Sequence, residues 1–537
     1  MKEITNFILL SSFLLSNQIQ FIPFDWGDQF GYVKHKGMII WGEDWRSKNL
    51  LFDGTWSIFP RMYGENIEQG FLKIPHDKFT LDSSNVISNI TYDQGDYGLD
   101  KFSIGINYFE KNRHLELQGF KRSYFGNFNQ YYLNTSQPLQ QSYTFSYKSL
   151  DTHRHTGLSI GHFNTLAGFP DLNINGIFDN SGIFDNRITS LNYFWSKEYG
   201  PLFFDLTMDH FLQRYKAIHS LSYYNRPRYL NRTVYKAEVN SLINGYTVSL
   251  GFNTNYRTTV SESKIHTDWY NLYSSAQWKS FDLWAAITKN ENDFFYDYNF
   301  SFDKKFNSFR INIVNAIRSF PRHPFFIFNN EEMNKSKFYQ KFYNQGFIQW
   351  EGLKSNVSML ISYIEDKQEF GQDSSFLHNQ YSNIKLIYRK NLNSKIDVLL
   401  KYNIADTGNY YSGGIGKEVG LEFQSRFTLF SKFMTIDLNS ELKYLYERIN
   451  YSTINPIEMV PLITHNKDHE KLNPLTLINA NLNVSVSSIM FGFNWINISE
   501  ILLSTIGFED NNFIIFHPNM PSLGRQINFS INWKFQD

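Results

Sequence analysis

The chain has 537 residues, with 51 Lys and Arg against 51 Asp and Glu, and no cysteine. Zero net charge offers neither an electrostatic footprint for nucleic acid nor a basic patch for anionic lipid. The missing cysteine excludes a disulfide framework, thiol catalysis and a Cys-based zinc site. The length exceeds one ordinary soluble domain unless that domain is a large repeat or barrel.

Residues 1–20 have the form of a secretory signal peptide: one Lys in 1–6, an apolar run over 7–15, then polar residues 16–20. A buried amino-terminal strand or helix is the alternative. No later stretch approaches the ~18 consecutive apolar residues of a membrane helix. Residues 21–86 alternate poorly and hold seven Gly and four Trp. They read either as a small luminal or periplasmic segment or as one or two extra strands plus a linker.

From about Ser88 the pattern is strand after strand. Val248, Leu250, Phe252 and Tyr256 oppose Ser249, Gly251, Asn253 and Asn255. Ile396, Val398, Leu400, Tyr402 and Ile404 oppose Lys395, Asp397, Lys401 and Asn403, with Leu399 breaking the pattern. Ile436, Leu438, Leu442, Tyr444 and Tyr446 oppose Asp437, Asn439, Glu441 and Lys443. These are period-2 runs near the ~9–11 residues of a tilted membrane strand. Short links near 111–113, 199–201, 244–246, 306–308, 352–355, 391–394 and 429–432 alternate with long polar stretches. The long ones include 126–140, 167–186, 214–231, 257–267, 320–337, 406–416, 448–473 and 502–525. Tight turns at one end and long loops at the other are the mark of an outer-membrane barrel. The sequence therefore predicts an all-β fold, a transmembrane antiparallel β-barrel over residues 87–537 with about 22 strands (range 16–22).

The chain ends on the cleanest strand. Ile527, Phe529, Ile531, Trp533 and Phe535 share one parity, and Gln526, Asn528, Ser530, Asn532 and Lys534 share the other. Those five apolar residues are the expected barrel-closing face, turned to lipid. The 18% aromatic content suits girdles at both interfaces.

In the carboxyl-terminal ~60 residues, Asn497-Ile498-Ser499-Glu500 follows the strand 489–496, then come Pro518, Pro521 and Gly524-Arg525 before the final strand. This order resembles the last hairpin of TonB-dependent outer-membrane receptors, in which an Asn-Leu-Phe-Asp-like segment, a long loop and a Pro-rich approach precede Gly-Arg and the final strand. The resemblance implies a receptor barrel closed by a plug domain. Residues 21–86 are about half the length of that plug and hold no TonB-contacting box, so the expected form is a receptor with a reduced or absent plug. A wide barrel with nothing inside would leak. Residues 21–86, inward-bent loops or a lumen-occluding partner chain are the expected fillers.

Among chemical motifs, Asp171, Asn173, Asn175 and Asp179 stand at positions 1, 3, 5 and 9 of an EF-hand-like loop, with Gly176 at position 6. These are the candidate Ca2+ ligands. Position 12 is Gly182 rather than Glu, and an Asn/Asp/Gly-rich external turn explains the same residues. The pairs His465/His469 and His153/His155 lack a third ligand at useful spacing. Gly413, Gly414, Gly416 and Lys417 lack the first Gly of a phosphate loop. No catalytic motif is visible, and the chain is expected not to be an enzyme. The expected function is a channel or receptor admitting an unidentified solute across the outer membrane. The alternative is a surface-exposed binding or adhesion barrel. A soluble secreted β-protein is a weaker fit. The expected partners are outer-membrane lipid, the barrel-assembly machinery and the solute.

Overall fold

The computed structural model describes residues 19–536 apart from 36–37, 41–43, 48, 54–58, 64–66, 70–84, 128, 134–136, 173–177, 221, 223–224, 292, 323–336, 370–375, 408–410, 432, 450–453, 459, 462–470 and 502–519. Twenty-two long antiparallel strands close into a barrel. The first is Asn85–Gly95 and the last Gln526–Gln536, and these two pair directly, from Asn528 opposite Gly95 to Gln536 opposite Ile87. Closure satisfies every strand edge within the ring, which lipid requires because it offers no hydrogen bonds.

The alternation seen in the sequence decides which face is which. Leu250 is 60% exposed on the outside, while its neighbour Ser249 is buried inside. Leu400 faces out and Leu399 and Asn403 face in. On the closing strand Ile527 and Trp533 are exposed outward while Gln526 is buried. One end of the barrel carries links of two to four residues, such as 111–112, 200–201, 279–280 and 487–488. Asn244 and Gly245 both take positive φ, 50° and 82°, the geometry of a type I′ turn that matches strand twist. The long loops lie at the opposite end.

Strands extend well past the bilayer on that loop side. Residues 167–186 read as a loop, yet Arg154–Leu172 and Phe178–Tyr199 run through them, with Ala167 paired to Phe184. Likewise Leu202–Ile218 and Arg228–Ile243 extend into 214–231, and Tyr246–Val260 and Lys264–Trp278 into 257–267. Beyond the lipid both faces of a strand meet water or protein, so polarity stops reporting on the ladder there.

Residues 19–69 form two small three-stranded sheets. One holds Ile19–Pro23, Gly31–His35 and Met38–Ile39; the other holds Leu50–Phe52, Trp45–Ser47 and Ile67–Gln69. Their side chains bury against the inner wall of the barrel. Phe30 packs edge-on to Phe169 and Phe184 at 4.7 and 4.9 Å between ring centroids. Phe52 meets Phe163 at 4.8 Å. Gly161 makes room for this contact, since a Cβ there would lie 2.5 Å from Leu50.

Candidate functional site

The barrel lumen is a concave, polar, side-chain-lined space, and among the described residues the inner segment occupies its loop-side half. Residues 44–53 sit at mid-wall. Arg232, on an inward position of Arg228–Ile243, donates from Nη1 to Asp44 at 2.6 Å and to Asp53, and from Nη2 to Asn255 at 2.9 Å. Arg46 pairs with Asp209 at 3.7 Å, and Asp209 also accepts from Asn192 at 2.7 Å. Ser190 donates to the Leu51 carbonyl at 2.8 Å. The contacts to residues Asp44, Arg46, Leu51 and Asp53 come from Arg228–Ile243, Leu202–Ile218 and Phe178–Tyr199, three neighbouring strands, so this part of the segment is held against one side of the wall.

Nearer the loops, the turn 25–30 closes on Asp25. Its fully buried carboxylate accepts from the Gln29 and Phe30 amides and from the Tyr131 hydroxyl, the last at 3.0 Å. Burial pushes the Asp25 carboxyl up to about 6, against the pull of those amides and of Arg122. Burial lowers the Lys34 ammonium to about 8, although Glu418 opposes the shift. Lys34 donates to the Ser412 carbonyl, and Tyr32 to that of Gly413 at 3.1 Å. The glycines that faintly suggested a phosphate loop thus receive the inner segment.

Two loops fold inward over this assembly. Glu458 accepts both Arg228 guanidinium nitrogens at 2.8 Å, with both side chains almost fully buried. Tyr215 lies 4.4 Å beneath the Arg228 guanidinium and donates to the Ile457 carbonyl at 2.9 Å. The residues that carried the family resemblance meet at a second point. Asn497, buried at φ 58°, donates to the Gly524 carbonyl and accepts from Ser499, while Trp26 also donates to Gly524.

The half of the lumen toward the short turns is lined by polar groups of both signs. Lys236 pairs with Glu238, and Lys443 with Glu441, each at 2.8 Å. Lys401 pairs with Glu422. An amide row follows: Asn483 donates to Asn481, Asn481 to Asn494, and Asn532 to Thr91. Such a wall hydrates a small polar solute without trapping one sign of charge.

For the calcium motif, Asn173 and Asn175 lie outside the described residues. Asp171 and Asp179 are paired across the hairpin. The Asp171 carboxylate accepts from the amide and hydroxyl of Ser220 and lies 3.5 Å from His219, so it ties one hairpin to the next. Among the described residues no group of three His, Asp or Glu is placed to hold a metal ion. His465 and His469 lie outside the described residues, and His153 meets Glu198 at 3.2 Å at the short-turn rim. Sequence reasoning did not single out Arg228, Arg232, Asp44, Asp53 or Glu458. Their partners are far away in the chain, and the only available signal was an arginine on the inward parity of a strand.

No protein-family model matches the chain, and no curated protein sequence matches it. Solved structures do. The chain is similar to the FrpB iron transporter from Neisseria meningitidis (F5-1 variant), with TM-score 0.69 and 10% identity over 98% of this chain and 97% of that one. It is similar to the copper transporter OprC, with TM-score 0.66 and 10% identity over 97% and 94%. It is also similar to the siderophore receptor PirA from Acinetobacter baumannii, with TM-score 0.64 and 9% identity over 98% and 95%. At such identities the likeness is one of fold, and the chain shares the large closed antiparallel β-barrel of these transporters and receptors.

Proposed function

We propose that this chain is an outer-membrane transport receptor in which residues 21–86 serve as a reduced plug. Solute enters from the loop side, and its passage requires that segment to shift. One observation carries the reading: the inner segment is held in the loop-side half of the lumen by buried ion pairs, above a mainly polar lining. An open diffusion pore has no use for Arg232 clamped on Asp44 and Asp53. A purely surface-binding barrel has no use for a hydrated lower half. The neighbours in fold are transporters and receptors for copper, iron and siderophores; for this chain the solute class is left open.

Planar-bilayer conductance of the purified protein tests the proposal. The intact chain is expected to insert silently. Arg232→Ala, which leaves two carboxylates without their cation, is expected to give discrete or flickering steps. Large steady conductance from the intact chain would establish an open pore instead. Silence from both proteins, with solute binding at the loops, would favour the surface-binding reading.

A further inference from the structure

We infer that the outer wall carries a binding groove for one anionic phospholipid of the periplasmic leaflet. The groove is a cavity of about 400 Å³, within the range of small-molecule sites. It arises from two adjacent rows of outward side chains, of which Phe204, Val239 and Leu250 form the one nearer the short turns. Trp195, Leu206, Ala237, Phe252 and Leu272 are consecutive register partners across five strands. Ala237 is the only small member, so the row has a notch at its centre, walled by large apolar groups.

The notch has a defined depth. Ala237 stands six residues before the short-turn end of Arg228–Ile243. At ~3.3 Å per residue and a ~45° tilt this places it about 14 Å inside the membrane, near the middle of a ~30 Å hydrocarbon core. The groove therefore spans the leaflet on the short-turn side. Its contents must be as apolar and as long as an acyl chain.

A headgroup site lies at the mouth. Arg154 and Lys197 are direct register partners at the short-turn ends of Arg154–Leu172 and Phe178–Tyr199. They lie on the outward parity, with Ile160 and Tyr193. Neither forms an ion pair among the described residues. The nearby acids are engaged elsewhere: Glu198 with His153, and Asp151 with Thr152; Asp205 and Glu238, which also border the groove, stand on inward positions, where Asp205 accepts from Asn240 and Glu238 pairs with Lys236. The Lys197 ammonium lies 4.4 Å over the Tyr199 ring, which fixes it at the interface. Lys197 is also the register partner of Phe204, a lining residue. Two cations side by side above an apolar groove complement a phosphodiester above an acyl chain. The neutral net charge of the chain gives no sign of this pair. The short-turn end faces the periplasm, so phospholipid rather than the lipid A of the outer leaflet is the occupant.

The test is native mass spectrometry of the full-length, delipidated barrel in detergent, with phosphatidylglycerol, phosphatidylethanolamine or lipid A added back. One phosphatidylglycerol is expected to be retained in preference to phosphatidylethanolamine. The double variant Arg154→Gln/Lys197→Gln should lower its occupancy roughly tenfold or more, given the usual strength of basic residues at anionic surfaces. Ala237→Trp should abolish retention by filling the notch, with the folded-barrel gel shift unchanged. Should that variant fail to fold, Ala237→Leu serves in its place. Equal retention of both phospholipids, indifference to either variant, or preference for lipid A would each overturn the proposal. None of these readouts depends on transport, so the lipid site and the transport function fail separately.

Discussion

Single residues set how firmly the lumen is filled. Breaking a buried ion pair strands a charge, which costs about 3–5 kcal/mol. Glu458→Ala is therefore expected to lower thermal stability by that order and to expose the segment around Ile457 to protease. Melting and limited digestion measure the two effects. Asp25 supplies a pH signature. Its value near 6 lies above the ordinary carboxylate 3.8, so the fold favours the neutral acid. Its contribution is complete below about pH 4 and is lost as pH rises through 6, on the order of 3 kcal/mol in all. Melting curves from pH 4 to 8 should show that slope in the parent and a flatter one in Asp25→Asn. Asp171→Ala should lower stability by removing the partner of Ser220, in chelator as well as in calcium. A loss seen only in calcium would instead point to metal at that hairpin.

At the scale of elements, a strand face is legible where lipid enforces it. Leu400 lies outward on Ile396–Ala405, and Leu400→Arg should destabilise by about 2–4 kcal/mol near the midplane. Asn403→Lys, inward and opposite Glu418, should be tolerated. Unfolding in lipid vesicles distinguishes the two. The same rule explains what could not be read. Above the bilayer the strands continue through 167–172 and 178–186, where Asp, Asn and Gly look like loop. The inner sheets are built from strands of two to five residues, too short for alternation to register. The clamp at Arg232 joins residues 179 apart to Asp53 and 188 apart to Asp44, and no local pattern reports such a pairing. The closing strand stood out because all five outward residues are apolar and all five inward ones polar.

For the whole molecule, closure rests on a single seam between the first and last strands. Deleting residues 527–536 removes Ile527, Phe529, Ile531, Trp533 and Phe535. It leaves Asn85–Gly95 and Ile489–Ile496 with open edges, so assembled barrel should vanish from membrane fractions. Folded barrel without the seam would argue for another ring. The seam also has a temporal meaning. Among the described residues the inner segment precedes every barrel strand, and the strand that seals the wall follows all the others. Trp26 bonds Gly524, and Tyr97 bonds Arg525, so one residue of the inner segment and one beside the first barrel strand take partners some 430–500 residues further on. A chain stopped before the closing strand has an unsealed wall and an unanchored Trp26, while Arg232, Asp209 and Tyr131 already hold the rest of the inner segment. The last anchor of the inner segment and the closure of the wall thus arrive together, at one place in the ring.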